Sequence, residues 1–237
     1  MNTLIIIWII GLIILIHEAG HFIAARAVGI PVSRFSLGFG PRLWSFKNKE
    51  TEFLVSSIPL GGYVMPAVDN MEDYQSIPAW KRIVLSLGGP LANLAAPLLI
   101  LSPLFALLHG PSLQSIFLEP VVYTINQLTM IITAIPSLFT GPGQLSGVVG
   151  IVAMGSRATA SDPVKIILFS SLLSLNLAVF NLLPFPVLDG GKILMYMLEK
   201  IHPRLKVVQI PLSIAGWVIM MGLMVYVTYV DVVRILS

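Results

Sequence analysis

Residues 14–23 read ILIHEAGHFI, and three of these ten side chains can do acid–base or metal chemistry. On a helix, positions four apart share a face, so His17 and His21 can both reach one metal ion. Glu18 directly follows His17. This is the H-E-x-x-H spacing of zinc hydrolases: two imidazoles ligate Zn²⁺ and the glutamate takes a proton from the attacking water. Ala19 and Gly20 are small, which is expected to leave room for a substrate.

The surroundings sharpen this reading. The three residues interrupt a run built from Ile, Leu, Phe and Ala. Each ionisable group at the centre of a lipid-embedded helix costs roughly 2.5–3.5 kcal/mol on insertion scales, so a cluster of three needs a purpose. A divalent cation supplies one, because it consumes the imidazole lone pairs and offsets the carboxylate charge. Such a site needs a third protein ligand and one open position. His109 and His202 both lie next to loops. Asp189, which follows NLAVFNLLPFPVL, stands at the inward end of a later apolar span and can match the depth of His21. Zn²⁺ with Asp189 and Glu18 sums to zero net charge, which suits a low dielectric. An aspartate before Gly190-Gly191 is also an ordinary turn signal, so spacing alone leaves both roles open.

The elements that must carry these residues follow from composition. Of 237 residues, 56% are apolar and 11% are Asp, Glu, Lys or Arg, against about 25% charged in a soluble domain. The mean hydropathy is +0.91. An α-helical integral membrane protein is expected, because the apolar segments are continuous runs rather than a barrel's alternation. The absence of cysteine excludes disulfides and thiolate metal sites. Four segments are long enough to span about 30 Å of hydrocarbon: 3–25, 83–108, 164–183 and 207–230. Residues 1–16 resemble the apolar core of a signal peptide, but no basic region precedes them, and the segment is read as a retained helix.

Eleven of the fourteen Lys and Arg fall in residues 26–82 and 192–206. The positive-inside rule puts both stretches in the cytoplasm and both termini outside. The net charge of +3 is explained by anchoring beside the bilayer and calls for no nucleic-acid partner. Residues 121–139 are fairly apolar but carry Asn126, Gln127 and three threonines, and are read as an amphipathic helix lying on or dipping into the outer leaflet, in preference to a fifth span that would put residues 192–206 on the other side. Residues 32–64 hold the turn Lys47-Asn48-Lys49-Glu50 between two runs rich in Phe, Leu and Val. They predict a β-hairpin that dips into the membrane face, which bare backbone tolerates only where protein or a wet cavity surrounds it.

Taken in order, HEAGH, GGYV (61–64), GGPLAN (88–93), SGVVGI (146–151) and NLLPFPVLDGG (181–191) resemble the site-2 protease family of intramembrane zinc metalloproteases. The similarity is strongest to its bacterial regulator-of-sigma-E protease branch and covers nearly the whole chain. It implies a single membrane protease domain over 1–237, with His17, His21 and Asp189 as zinc ligands and Glu18 as the catalytic base. It also implies that Asn181 and Asn176 hold substrate, and that the hairpin is a membrane-reentrant β-loop. The edge of that loop, including Gly61, Gly62 and Tyr63, would pair with an unwound substrate strand. The implied substrates are single-pass membrane proteins, cut within or near their spans at the inner (cytoplasmic) membrane. Pro184 and Pro186 would unwind the end of the third span so that Asp189 faces the metal. One departure is large: the interval 109–164 has no room for the PDZ domain of about 90 residues that such proteases usually carry there. The same intramembrane His, Glu and Asp could instead form the ion pathway of a transporter, or belong to a scaffold that binds without cutting; four spans without inverted repeats, and an intact motif, speak against these.

Overall fold

Long runs of Ile, Leu, Val and Ala must pair their backbone polar groups internally when no water is at hand, and here they fold as helices. The computed structural model describes residues 2–139, 146–202 and 205–236; Arg204 of the second basic stretch lies outside them. In chain order the elements are α1 (Asn2–Ala27), β1 (Val32–Asn48), β2 (Thr51–Pro66), α2 (Met71–Ser76) and α3 (Ala79–His109). A π-helical turn (Gln114–Leu118) then runs into α4 (Glu119–Ala134) and a 3₁₀ turn (Ile135–Phe139). They are followed by α5 (Val148–Thr159), α6 (Pro163–Asn181), α7 (Asp189–Ile201) and α8 (Lys206–Leu236). The longest helices expose their apolar side chains: Trp8, Leu99, Leu107, Trp217 and Val218 are each at least half exposed. Such a surface suits lipid rather than water.

Five helices among the described residues are long and apolar enough to cross a membrane, where four spans were expected. The additional one is Gln114–Ser137, with the lowest mean hydropathy of the five, 1.3. It corresponds to the stretch read as 121–139, but it starts earlier, because the π-helical turn and Pro120 in the first turn of α4 form one continuous helical run.

The chain forms two compact units. The first comprises Met1–Ile10, Leu94–Val179 and Ala215–Ser237. Within it the SGVVGI motif has a structural use: the buried Asp231 carboxylate of α8 accepts hydrogen bonds from the Gly147 and Gly150 N–H groups, each at 2.8 Å, and so caps the start of α5. A side chain at Gly150 would meet Asp231 Oδ1 at 2.5 Å.

The second unit comprises Gly11–Asn93 and Phe180–Ile214. Its core gathers Ala25, Ile30, Val32 and Leu85, with Phe22 and Val64 packed against them. β1 and β2 form an antiparallel hairpin around the expected turn, and it extends to Pro66. The second arm doubles back. Residues 34–37 of β1 lie opposite 62–65 of β2 on one side and 52–55 on the other. Phe35, Phe53 and Phe46 form a continuous ring contact across these segments, and Phe22 of α1 packs against Phe35 and Phe53. The far end of the hairpin leaves Leu43 and Trp44 mostly exposed.

α1 and α3 approach at backbone distance. A side-chain carbon added at Gly20 would collide with the Gly88 carbonyl and come within 2.6 Å of Ala92 Cβ. One added at Gly88 would collide with the Gly20 carbonyl and come within 2.6 Å of Ala24 Cβ. Gly20 and Ala24, like Gly88 and Ala92, are four apart, the small-residue spacing that lets membrane helices touch closely. Gly20 therefore receives α3 and does not make room for a substrate.

Candidate metal centre

Two constraints bring the three candidate ligands together. His17 and His21 share one face of α1, with ring centroids 4.7 Å apart. Asp189 arrives by a break in the chain. Pro184 and Pro186 cannot continue a helix; α6 ends at Asn181, and residues 182–188 form an irregular turn before α7 begins at Asp189. That turn folds tightly over the start of α7. A side chain at Gly190 would collide with the Leu182 carbonyl, and one at Gly191 with the Phe185 carbonyl. Both roles left open for Asp189 are thus realised: it ends the turn and it faces the histidines.

Three atoms converge. His17 Nε2 and His21 Nε2 lie 3.2 and 3.1 Å from Asp189 Oδ2, and 3.2 Å from each other. All three residues are buried. Tetrahedral ligands at about 2.0–2.1 Å from one ion stand about 3.3–3.4 Å apart, so this triangle fits a single Zn²⁺ and leaves a fourth direction open. Gly89 fits as well: a side-chain carbon there would collide with His21 Nε2 and lie 2.7 Å from His17 Nε2, filling the space beside the ligating atoms. Among the described residues, His17, His21 and Asp189 are the one group of His, Cys, Asp or Glu whose ligand atoms are close enough to share an ion. His109 instead pairs with Glu119 at 2.6 Å.

The atoms that do not face the metal position are held too. His21 Nδ1 donates to the Leu85 carbonyl at 2.7 Å. Lys192 Nζ sits 3.2 Å from Asp189 Oδ1, leaving Oδ2 alone toward the histidines. The Lys192 ammonium beside Asp189 Oδ1 favours the charged carboxylate that a metal ligand must be.

Glu18 is buried and lines a cavity of about 280 Å³ together with His21, Gly62, Tyr63, Asp189 and Lys192. A side chain at Gly62 would meet Glu18 Cγ at 2.6 Å, so glycine lets the sheet pass directly over the glutamate. A larger cavity of about 550 Å³, beside Trp80, Ile83 and Met197, holds none of the ligating groups. The wall behind the site is stiffened by Arg82, whose Nη2 donates to both carboxylate oxygens of Glu199 at 2.7 and 2.9 Å while its guanidinium lies 4.5 Å from the Tyr196 ring.

The remaining expected residues are placed differently. Gly62 and Tyr63 line the cavity; Gly61 packs on Phe39. Asn181, partly buried, is the last residue of α6. Asn176 belongs to the other unit, and its amide donates to the Leu172 carbonyl of its own helix at 2.9 Å. Reading the sequence for ligands missed Leu85, Gly89, Asn93 and Lys192. The GGPLAN stretch (88–93) was the available signal for Gly89 and Asn93, since a double glycine and an amide are unusual in an apolar span.

The family model described as peptidase family M50 matches residues 5–226. Among curated relatives, "Putative zinc metalloprotease Cj1068" of Campylobacter jejuni is 26% identical over 341 aligned positions, covering 97% of this chain and 92% of the relative. "Putative zinc metalloprotease all3971" of Nostoc is 26% identical over 343 positions, covering 95% of this chain and 94% of the relative. Alignments of that length against 237 residues mean that both relatives carry residues with no counterpart here. A conclusion follows from the matched span and the geometry together: the chain belongs to peptidase family M50.

Proposed function

We propose that this multi-pass membrane metalloprotease is a site-2-type intramembrane endopeptidase that uses Zn²⁺ to cut peptide bonds within or near the spans of single-pass membrane proteins. The observation that carries the reading is the triangle of His17 Nε2, His21 Nε2 and Asp189 Oδ2 beside Glu18, in a cavity roofed by the Gly62–Tyr63 stretch of β2. The names of the relatives support zinc as the metal.

The steps assigned to the chain's own groups are these. An unwound substrate strand lies along the β2 stretch that includes Gly62 and Tyr63, where main-chain hydrogen bonds give affinity without demanding sequence. A Zn²⁺ held by His17, His21 and Asp189 would supply Lewis acidity to the scissile carbonyl and to the attacking water. The Glu18 carboxylate takes the proton of the attacking water and passes it to the leaving amine. Lys192 and the Leu85 carbonyl keep Asp189 and His21 aimed throughout. Asn181, at the mouth of the 182–188 turn, is assigned to the substrate backbone.

The family resemblance favours the cytoplasmic membrane, and the positions of Lys and Arg favour both termini outside and the site opening to the cytoplasm. That topology requires Gln114–Ser137 to lie along the outer face, in keeping with its lower hydropathy. A C-terminal tag should accordingly be removed by protease added to intact spheroplasts; protection of the tag would reverse the assignment.

The activity is tested with purified protein in liposomes and a single-pass reporter. Cleavage should stop on treatment with a zinc chelator and return when zinc is restored. Ion flux without a peptide product, or zinc binding without cleavage, would replace the protease reading with a transporter or a scaffold.

A further inference from the structure

Resting on the zinc reading, we propose that Asn93 is a positioning residue whose carboxamide oxygen accepts the Nδ1–H of His17 and so holds that ring in the one tautomer able to ligate through Nε2. The Asn93 side chain is fully buried and its Nδ2 is placed 3.3 Å from His17 Nδ1, a position that a half-turn of the carboxamide gives to Oδ1 instead. It stands on α3 four residues after Gly89, so both point to the same face of that helix. Gly89 leaves space at the two Nε2 atoms while Asn93 reaches behind the His17 ring to its other nitrogen.

The chemistry selects one orientation of the amide. A neutral imidazole carries its proton on one nitrogen and a lone pair on the other. His21 is fixed by its 2.7 Å contact with the Leu85 carbonyl, which only an Nδ1–H can make. His17 Nδ1 instead meets the Asn93 carboxamide, which presents oxygen or NH₂ to the same spot after a half-turn of the side chain. With NH₂ facing the ring, Nδ1 would have to be bare, the proton would sit on Nε2, and Nε2 could not bind a metal. With oxygen facing it, Nδ1 holds the proton and Nε2 is free toward Asp189 Oδ2 and His21 Nε2. Ligand imidazoles commonly hold their second nitrogen this way, and loss of the partner typically costs about 10- to 100-fold in metal affinity. The inference also accounts for a carboxamide buried in a span-length apolar helix, which is costly unless it is used.

Three proteins discriminate the roles: wild type, Asn93→Leu and Asn93→Asp, each purified in detergent, checked for native helicity by circular dichroism, and titrated with zinc against a competing chelator. Leucine matches the shape but offers no acceptor; zinc affinity should fall about 10- to 100-fold. Aspartate offers only acceptors; affinity should stay within about threefold of wild type or rise. Rescue by aspartate separates orientation of His17 from mere packing. The inference is overturned if the leucine variant binds zinc as wild type does. It is equally overturned if aspartate loses as much affinity as leucine, which would make the amide a donor; this comparison with wild type stands even where the leucine variant does not fold. A wild type that binds no zinc would remove the metalloprotease reading itself, whereas normal wild-type affinity with an indifferent Asn93 would remove this inference alone.

Discussion

Glu18→Gln should leave zinc stoichiometry unchanged and lower cleavage of a transmembrane reporter by roughly 10²- to 10⁴-fold, the usual worth of a positioned general acid–base group. Glutamine keeps the length and packing of the side chain, including its contact with the β2 backbone at Gly62. It removes only the ability to take a proton. Glu18 is not one of the three converging ligand atoms, so the metal should stay. The measurement is single-turnover cleavage of a reporter in liposomes, alongside metal analysis of the same preparation. Turnover within about threefold of wild type would place the base elsewhere. Loss of zinc together with activity would instead make Glu18 part of the ligand set.

How much of this site could be read from the chain depends on the distance over which each constraint acts. His17, Glu18 and His21 lie within one helical turn, and a helix fixes their relation whatever surrounds it. Asp189 was reachable because Pro184, Pro186 and the double glycine signal a broken helix at a definite depth. The hairpin turn was legible for the same local reason. The partners of the ligands were not: Leu85 and Asn93 are 64 and 76 residues from the histidines they touch. No periodicity within either helix gives the register between two helices. That register is set by Gly20 and Ala24 meeting Gly88 and Ala92, and Gly20 was open to a different reading until α3 was seen against it. The doubling of β2 along both sides of residues 34–37 is likewise a long-range pairing with no local mark. Asn176 shows the converse limit. An amide within an apolar span invites a functional role, yet here it satisfies its own helix at Leu172.

Gly89→Ala follows from that interhelical register and should put one methyl group directly against the metal centre. Alanine is the better helix former by about 0.8–1.0 kcal/mol, so α3 itself should not object. The added carbon, however, would collide with His21 Nε2 and come within 2.7 Å of His17 Nε2 and 2.8 Å of His17 Cε1. Backing α3 away would open the close Gly20–Gly88 packing between the two helices. Turning the imidazoles aside would break the contacts with Leu85 and Asn93 that aim them. Zinc affinity should therefore fall at least as far as the roughly 10- to 100-fold lost with one orienting partner, and cleavage should fall with it. Far-ultraviolet circular dichroism should stay that of the wild type, which separates damage at the site from unfolding. Gly11→Ala and Gly222→Ala are the matched controls: nothing lies within 4 Å of the added carbon at either position, so both should bind zinc and cleave normally. Normal zinc affinity in Gly89→Ala would mean that the two ligating nitrogens do not lie under α3, and the geometry assigned to the metal centre would fail with it.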